Sequence, residues 1–219
     1  MSETELIKNT TVFVKNKLAN AEAGHDWFHI QRVYQLALHI AQKEGINDLL
    51  IIKLGALLHD IADAKFHDGN EDLGPQIAGQ FLEKHAVNDA VINEVKLIIK
   101  HISFKTEAAS YTSDNLKILQ DADRLDAMGA IGIARAFNFG GYKNRALYNP
   151  EIPSKPQQSK AEYKASKAPT LNHFDEKLLL LKDQMHTKSA KKIAQKRHNY
   201  MLNFVERFKK EWYLQIDEA

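Results

Sequence analysis

Apolar residues recur along this chain at intervals of three and four, and no stretch alternates apolar with polar over the length of a strand, so the pattern predicts helices and no sheet. Thr4 to about Ala21 carries Leu6, Val12, Phe13, Val14 and Leu18 and reads as a first helix that ends before Gly24. A second runs from Asp26 to Glu44, turning Val33, Leu36, Ala37 and Ile40 inward, and Gly45 stops it. Asn47 or Asp48 caps a third, whose segment from Leu49 to Ala62 is apolar on nearly every side. Phe66 to Asn70 reads as a polar turn, and Leu73 to Lys84 resumes as helix. Asn88 caps the next, with Val91, Val95, Leu97, Ile98 and Ile102 as its stripe and His101 near its end. A further helix begins at Ser113 or Asp114 and reaches Asp126; Gly129 and Gly132, among alanines and isoleucines, then suggest a helix packed closely on a neighbour.

The periodicity stops between Asn138 and Thr170, where Gly140, Gly141, Pro150, Pro153, Pro156 and Pro169 lie among many Lys, Gln and Ser. Connections of this length are commonly lids or disordered. Helical spacing returns from about Phe174 to Met185, and after Thr187 in a long basic segment ending at Trp212-Tyr213-Leu214. The expected fold class is all-α, and residues 1–219 read as a single domain with a core at about 20–140, the loop at about 138–170 and C-terminal helices at about 171–216.

Composition narrows the function classes. A 219-residue chain that is 44% hydrophobic can bury one sizeable core, and a formal charge of +2 gives no support for wholesale binding to nucleic acid or membranes. The charge is uneven: residues 1–150 hold 16 Lys and Arg against 19 Asp and Glu, whereas 151–219 hold 14 against 9, a bias that suits an anionic substrate or a solvated helix face equally. Cysteine is absent, which excludes a disulfide framework, a thiolate nucleophile and a thiolate metal site. Any metal is therefore left to His and carboxylate. No apolar run approaches a membrane span, and the acidic Met1-Ser2-Glu3-Thr4-Glu5 lacks the plan of a signal peptide, so the chain reads as cytoplasmic.

The chemistry gathers at Leu57-Leu58-His59-Asp60-Ile61-Ala62-Asp63. An imidazole beside a carboxylate in apolar surroundings is costly to bury unless something partners both, and a metal ion would do so. His25-Asp26 and His67-Asp68 repeat the dipeptide, but His67-Asp68 falls in the polar turn. His25 and His29, four apart, share a helix face with Arg32 one turn on, and a later helix adds Asp121, Asp123 and Asp126. Three helices of a bundle can thus offer His, His-Asp and Asp to one point in the core.

The ordered set of His29-x-x-Arg32-Val33, Ala56-Leu57-Leu58-His59-Asp60-Ile61 and Asp121-Ala122-Asp123-Arg124-Leu125-Asp126 resembles the HD-domain metal-dependent phosphohydrolase superfamily. The C-terminal Thr187-x-x-Ala190-Lys191-x-x-Ala194-x-x-Arg197-His198 is similar to a small bacterial single-domain branch, some members of which are nucleoside-triphosphate pyrophosphohydrolases. The resemblance implies an HD-type helical bundle with an additional C-terminal helical segment, and His29, His59, Asp60 and Asp123 as ligands of a divalent ion of the Mn, Co, Ni, Zn, Fe or Mg type. One ion is expected rather than two. His101 alone is well placed where some branches carry extra histidines, with His85 too far back to pair with it.

The resemblance implies two further roles, and position in the chain suggests others. Asp63 matches an acidic position acting near the attacking water, as general base or acid, with a merely supporting carboxylate the alternative. His25 corresponds to a residue that, in the cyclic-nucleotide phosphodiesterases, protonates the leaving group; contact with phosphate or a helix cap are its other readings. Lys65, just past the His-Asp helix, is a candidate phosphate contact against the plainer reading of an exposed lysine in a turn; His101 is a candidate substrate contact, and Arg32 is expected to hold a carboxylate. Tyr142, Lys143 and Arg145, at the start of the long loop, are candidates for stacking on a base and meeting phosphates, against the plainer reading of a surface excursion. The expected activity is hydrolysis of a nucleotide or similar small phosphorylated metabolite. The alternative is a non-catalytic nucleotide-binding or sensor domain that keeps the fold. No nucleic-acid or membrane partner is expected, and a homodimer is compatible with the chain.

Overall fold

A computed structural model describes residues 1–19, 26–62, 70–102, 111–156, 162 and 166–215. The described residues contain helices and no strand, so the chain is all-α, and they divide into two compact units, Met1–Asp123 and Arg124–Ala219.

In the first unit, α1 (Glu3–Lys17) opens on Ser2, whose side chain accepts from the Glu5 amide, and buries Leu6, Thr10 and Val14 at four-residue spacing. Helix α2 (Trp27–Lys43) buries His29, Ile30, Val33, Ala37, Ile40 and Ala41; it ends where Gly45 takes a φ of +77° and the Ile46 amide returns to the Ala41 carbonyl at 2.9 Å. Helix α3 (Leu50–Leu58) is short and enclosed, with α1, α2 and α5 packed against it. It starts after an Asx turn in which Asp48 accepts from the Leu50 amide at 3.2 Å. Helices α4 (Leu73–Lys84) and α5 (Asp89–His101) pair along their lengths, and Asn88 caps α5. Helix α6 (Asp114–Asp126) begins after Ser113, which accepts from the Leu116 amide, and its residues to Asp123 complete the unit.

The second unit is built on α7 (Gly129–Tyr142), α8 (Asn172–Glu176), a 3-10 segment (Leu178–Gln184) and α9 (Lys188–Trp212). Helix α9 is capped by Thr187 and packs on α7 and the 3-10 segment. Phe204, Phe208 and Trp212, one turn apart on α9, meet in sequence with centroids 6.1 and 6.0 Å apart, the first pair tilted and the second stacked, and Phe137 of α7 and Phe174 of α8 meet Phe204. The Asp126 carboxylate, 2% exposed, accepts from Arg135 at 2.6 Å, and Arg197 donates to the Leu125 carbonyl. Arg124 donates to the Gln184 carbonyl at 2.7 Å and lies 2.9 Å from His186.

Three expectations change here. Helix α7 runs through Gly140-Gly141 to Tyr142 instead of breaking at Asn138. Gly140 is buried against the Thr170 side chain, where a Cβ would collide, so this glycine serves close packing rather than chain reversal. The segment from Phe174 to Met185 is not one helix: Lys177 (φ −147°, ψ −57°) interrupts it, and the following 3-10 turns place Leu178 and Leu181 on the buried side. Of the two glycines expected to face a neighbouring helix, Gly129 meets Arg197 of α9, whereas Gly132 fits against the Ala127 carbonyl of the preceding turn.

The ends of the long connection are tied together. The Thr170 and Leu171 amides donate to the Ala146 and Leu147 carbonyls, each at 2.9 Å, and Arg145 donates to the Ser166 carbonyl at 2.9 Å. No helix among the described residues is long and apolar enough to cross a membrane.

Candidate metal centre

Three helices of the first unit each deliver a polar side chain to one place. On α2, the Asp26 carboxylate caps the helix by accepting from the His29 amide at 2.9 Å, which fixes His29 in the first turn. On α3, His59 is the residue that ends the helix, followed at once by Asp60. On α6, Asp123 sits one turn from the C-terminus. Helices α3 and α6 touch at a glycine: a Cβ on Gly55 would lie 2.6 Å from Leu119 Cδ1. Gly55 precedes His59 by one turn and Leu119 precedes Asp123 by one turn, so the contact lies directly beneath the two donors.

The donor atoms converge. His29 Nε2 lies 3.3 Å from His59 Nε2 and 3.5 Å from Asp123 Oδ1, and His59 Nε2 lies 3.9 Å from the same oxygen. Asp60 Oδ2 stands 3.9 Å from His29 Nε2. The imidazole of His59 is oriented by its other nitrogen, which is 2.9 Å from the Ala56 carbonyl oxygen. A carbonyl oxygen can only accept, so Nδ1 carries the proton and Nε2 presents its lone pair to the cluster.

This donor set fits a divalent ion. Bonds of about 2.1 Å to nitrogen and oxygen at tetrahedral or octahedral angles place neighbouring ligand atoms about 3.0–3.4 Å apart, and the separations here begin in that range. His29, His59 and Asp123 could together hold a metal ion, all of their ligand atoms lying within 4.8 Å of one another. Two nearly buried imidazoles facing each other beside a carboxylate are poorly solvated by water, and a cation compensates all three.

The other expected site residues fall in different places. His101 is the last residue of α5 and is 9% exposed; its ring lies 5.9 Å from that of Tyr111, and its Nδ1 has no hydrogen-bond partner among the described residues. Tyr142, Lys143 and Arg145 belong to the second unit and gather on one aromatic ring: Lys143 Nζ lies 5.7 Å and the Arg145 guanidinium 5.8 Å from the Phe139 centroid, and Lys143 is also 4.8 Å from Tyr142, which is 62% exposed. His25, Asp63 and Lys65 lie outside the described residues. Sequence reasoning passed over three supporting groups. Asp26 was open to it, since an Asp three residues before His29 has the spacing of an N-cap; the Ala56 carbonyl and Gly55 leave no comparable signature.

Comparison with known proteins identifies the family. The HD-domain family profile matches residues 27–128, which contain all four expected ligands. Bacillus subtilis YpgQ, an uncharacterised protein, is 38% identical over 214 residues, covering 96% of each chain. An HD-superfamily hydrolase from Bacillus thuringiensis is 42% identical over 97% of this chain and 99% of its own, with a TM-score of 0.76. The crystal structure of B. subtilis YpgQ in complex with ADP superposes with a TM-score of 0.77 over 96% of this chain and 97% of its own. With its ordered His, His-Asp and Asp brought together on three helices, the chain belongs to the HD-domain phosphohydrolase superfamily.

Proposed function

We propose that this chain is a metal-dependent phosphohydrolase that cleaves a phosphoric anhydride or ester in a nucleotide, and that residues 1–219 act as one HD-type domain. The observation that carries the reading is the convergence of His29 Nε2, His59 Nε2 and Asp123 Oδ1, with His59 Nδ1 committed to the Ala56 carbonyl. Asp60 joins them as the fourth ligand. A divalent ion held there supplies charge neutralisation at a phosphoryl oxygen and acidifies water.

The side chains divide the remaining work. Asp63 accepts the proton of the attacking water, and His25 protonates the leaving oxygen. In the first unit Lys65 and His101 are the substrate contacts; in the second, Tyr142 offers a face for a base, and Lys143 and Arg145 offer charge for phosphates. The ADP complex of YpgQ supports a nucleotide as ligand; cleavage of a nucleoside triphosphate to pyrophosphate is the case that the family resemblance suggests.

The test is to measure the metal content of the purified protein, strip it, reload it with single divalent ions, and screen nucleoside mono-, di- and triphosphates and cyclic nucleotides. Phosphate and pyrophosphate are assayed separately. Metal-dependent turnover of a nucleotide is expected. Full turnover by verified metal-free protein, or nucleotide binding without hydrolysis under any ion, would overturn the reading.

A further inference from the structure

One side chain joins the end of α5 to the middle of α6. Gln120 Nε2 donates to the His101 carbonyl oxygen at 2.8 Å. Because His101 is the last residue of α5, that carbonyl is among those left without an intrahelical partner at a helix C-terminus. On α6, Gln120 precedes Asp123 by three residues, which puts the two on one face about 4.5 Å apart along the axis.

The three convergent donors are not held in the same way. The side chains of His29 and His59 are 2% and 4% exposed and are gripped by their surroundings, whereas that of Asp123 is 33% exposed. As the most exposed of the three, it is the donor on whose place the setting of α6 bears most. The Leu119 contact with Gly55 is apolar, and such a contact tolerates rotation and sliding. An amide-to-carbonyl hydrogen bond does not, since it weakens steeply with angle and distance.

We propose that Gln120 is a positioning residue for the metal centre: its hydrogen bond to the His101 carbonyl sets the rotation and height of α6, and so places the Asp123 carboxylate among the imidazoles. The proposal rests on the metal-centre reading above. It assigns Gln120 no contact with metal or substrate.

The structure supplies its own control. Asn115 Nδ2 donates to Glu94 Oε1 at 2.9 Å, a second bond from α6 to α5, eight residues from Asp123 or about 12 Å along the helix. If such bonds only fasten helices together, both act alike.

The experiment uses the full chain, metal-stripped, as wild type, Gln120→Met and Asn115→Leu. Mn²⁺ and Zn²⁺ affinities are measured by calorimetric titration, and the Tm of each metal-free protein is recorded. Gln120→Met should weaken the binding of both ions by about tenfold or more, the scale found when groups supporting metal ligands are removed. Asn115→Leu should leave affinity within about twofold while lowering the metal-free Tm at least as much. Wild-type affinity in Gln120→Met, or an equal loss in Asn115→Leu, overturns this proposal and leaves the metal centre standing. A wild-type chain that takes up neither ion overturns both.

Discussion

The Nε2 atoms of His29 and His59 stand 3.3 Å apart, with both rings almost out of solvent. Since His59 Nδ1 already donates to the Ala56 carbonyl, His59 Nε2 offers a lone pair, and the atom opposite must bring a proton or share a cation. Chelation is therefore expected to lower the Tm, and restoring a divalent ion to raise it, by an amount equivalent to about 2.7 kcal/mol at a hundredfold excess over Kd. In His59→Ala and Asp60→Ala the bound metal, the ion-dependent rise and the activity should all be lost. Elemental analysis beside thermal melts checks this; an unchanged metal content in His59→Ala would remove the ligand assignment.

Asp63 and His25 are expected to behave differently from the ligands. Asp63→Asn and His25→Ala should keep the bound metal while kcat falls by about 10²–10⁴, the range for loss of a general acid or base. Steady-state kinetics on protein of verified metal content tests this. A variant that loses metal and activity together would reassign its residue to the ligand set.

Acid should weaken the second unit. Burial, with Lys177 and then Arg145 adding repulsion, pushes His173 down to about 3 from its ordinary 6.5. Burial and Lys182 lower His198 as well, against opposing contributions from the Leu179 backbone and Asp183. Below its ordinary pKa the unfolded chain binds a proton that folded His173 refuses, so stability is complete above about pH 6.5 and falls as pH drops towards about 3. Urea unfolding at about pH 7 and about pH 4.5 should show this loss, and His173→Gln should shrink it. An equal acid loss in the variant would place the effect elsewhere.

Two glycines of α7 should respond to alanine with opposite signs. A Cβ at Gly132 would run into the Ala127 carbonyl, whereas one at Gly141 meets nothing within 4 Å. Gly132→Ala is expected to cost about 1–3 kcal/mol through overpacking. Gly141→Ala should gain up to about 0.5–1 kcal/mol by restricting the unfolded chain. Denaturant midpoints of the two variants decide the matter.

Much of the first unit was legible because its signals are local. The Asn88 cap and the bounds of α4 follow from periodicity and capping chemistry, which depend on residues within one or two turns, whereas the α5 stripe was read only in part: Val95, Ile98 and Ile102 are buried, but Leu97 is exposed and Ile92 and Ile99 face inward instead. The ordered His29, His59, Asp60 and Asp123 could be found because HD-domain proteins keep that order. What escaped was set by distant partners. Gly140-Gly141 has the composition of a break, and only the Thr170 side chain, thirty residues on, shows why a helix continues through it. The leucines after Lys177 suit either helix type, and burial of Leu178 and Leu181 selects the tighter one. Gly55 beneath the metal donors is one more glycine in an apolar run until Leu119 is seen against it.

The amides of Thr170 and Leu171 return to Ala146 and Leu147, so the intervening excursion leaves and rejoins the body of its unit at one fastened neck. With both ends held there, doubling the length of the connection costs only about 0.6 kcal/mol in closure entropy. An affinity tag or a reporter peptide is therefore best grafted between Leu147 and Thr170 outside residues 152–155, whose bonds to Asn172, Asp175 and Glu176 an insertion would break.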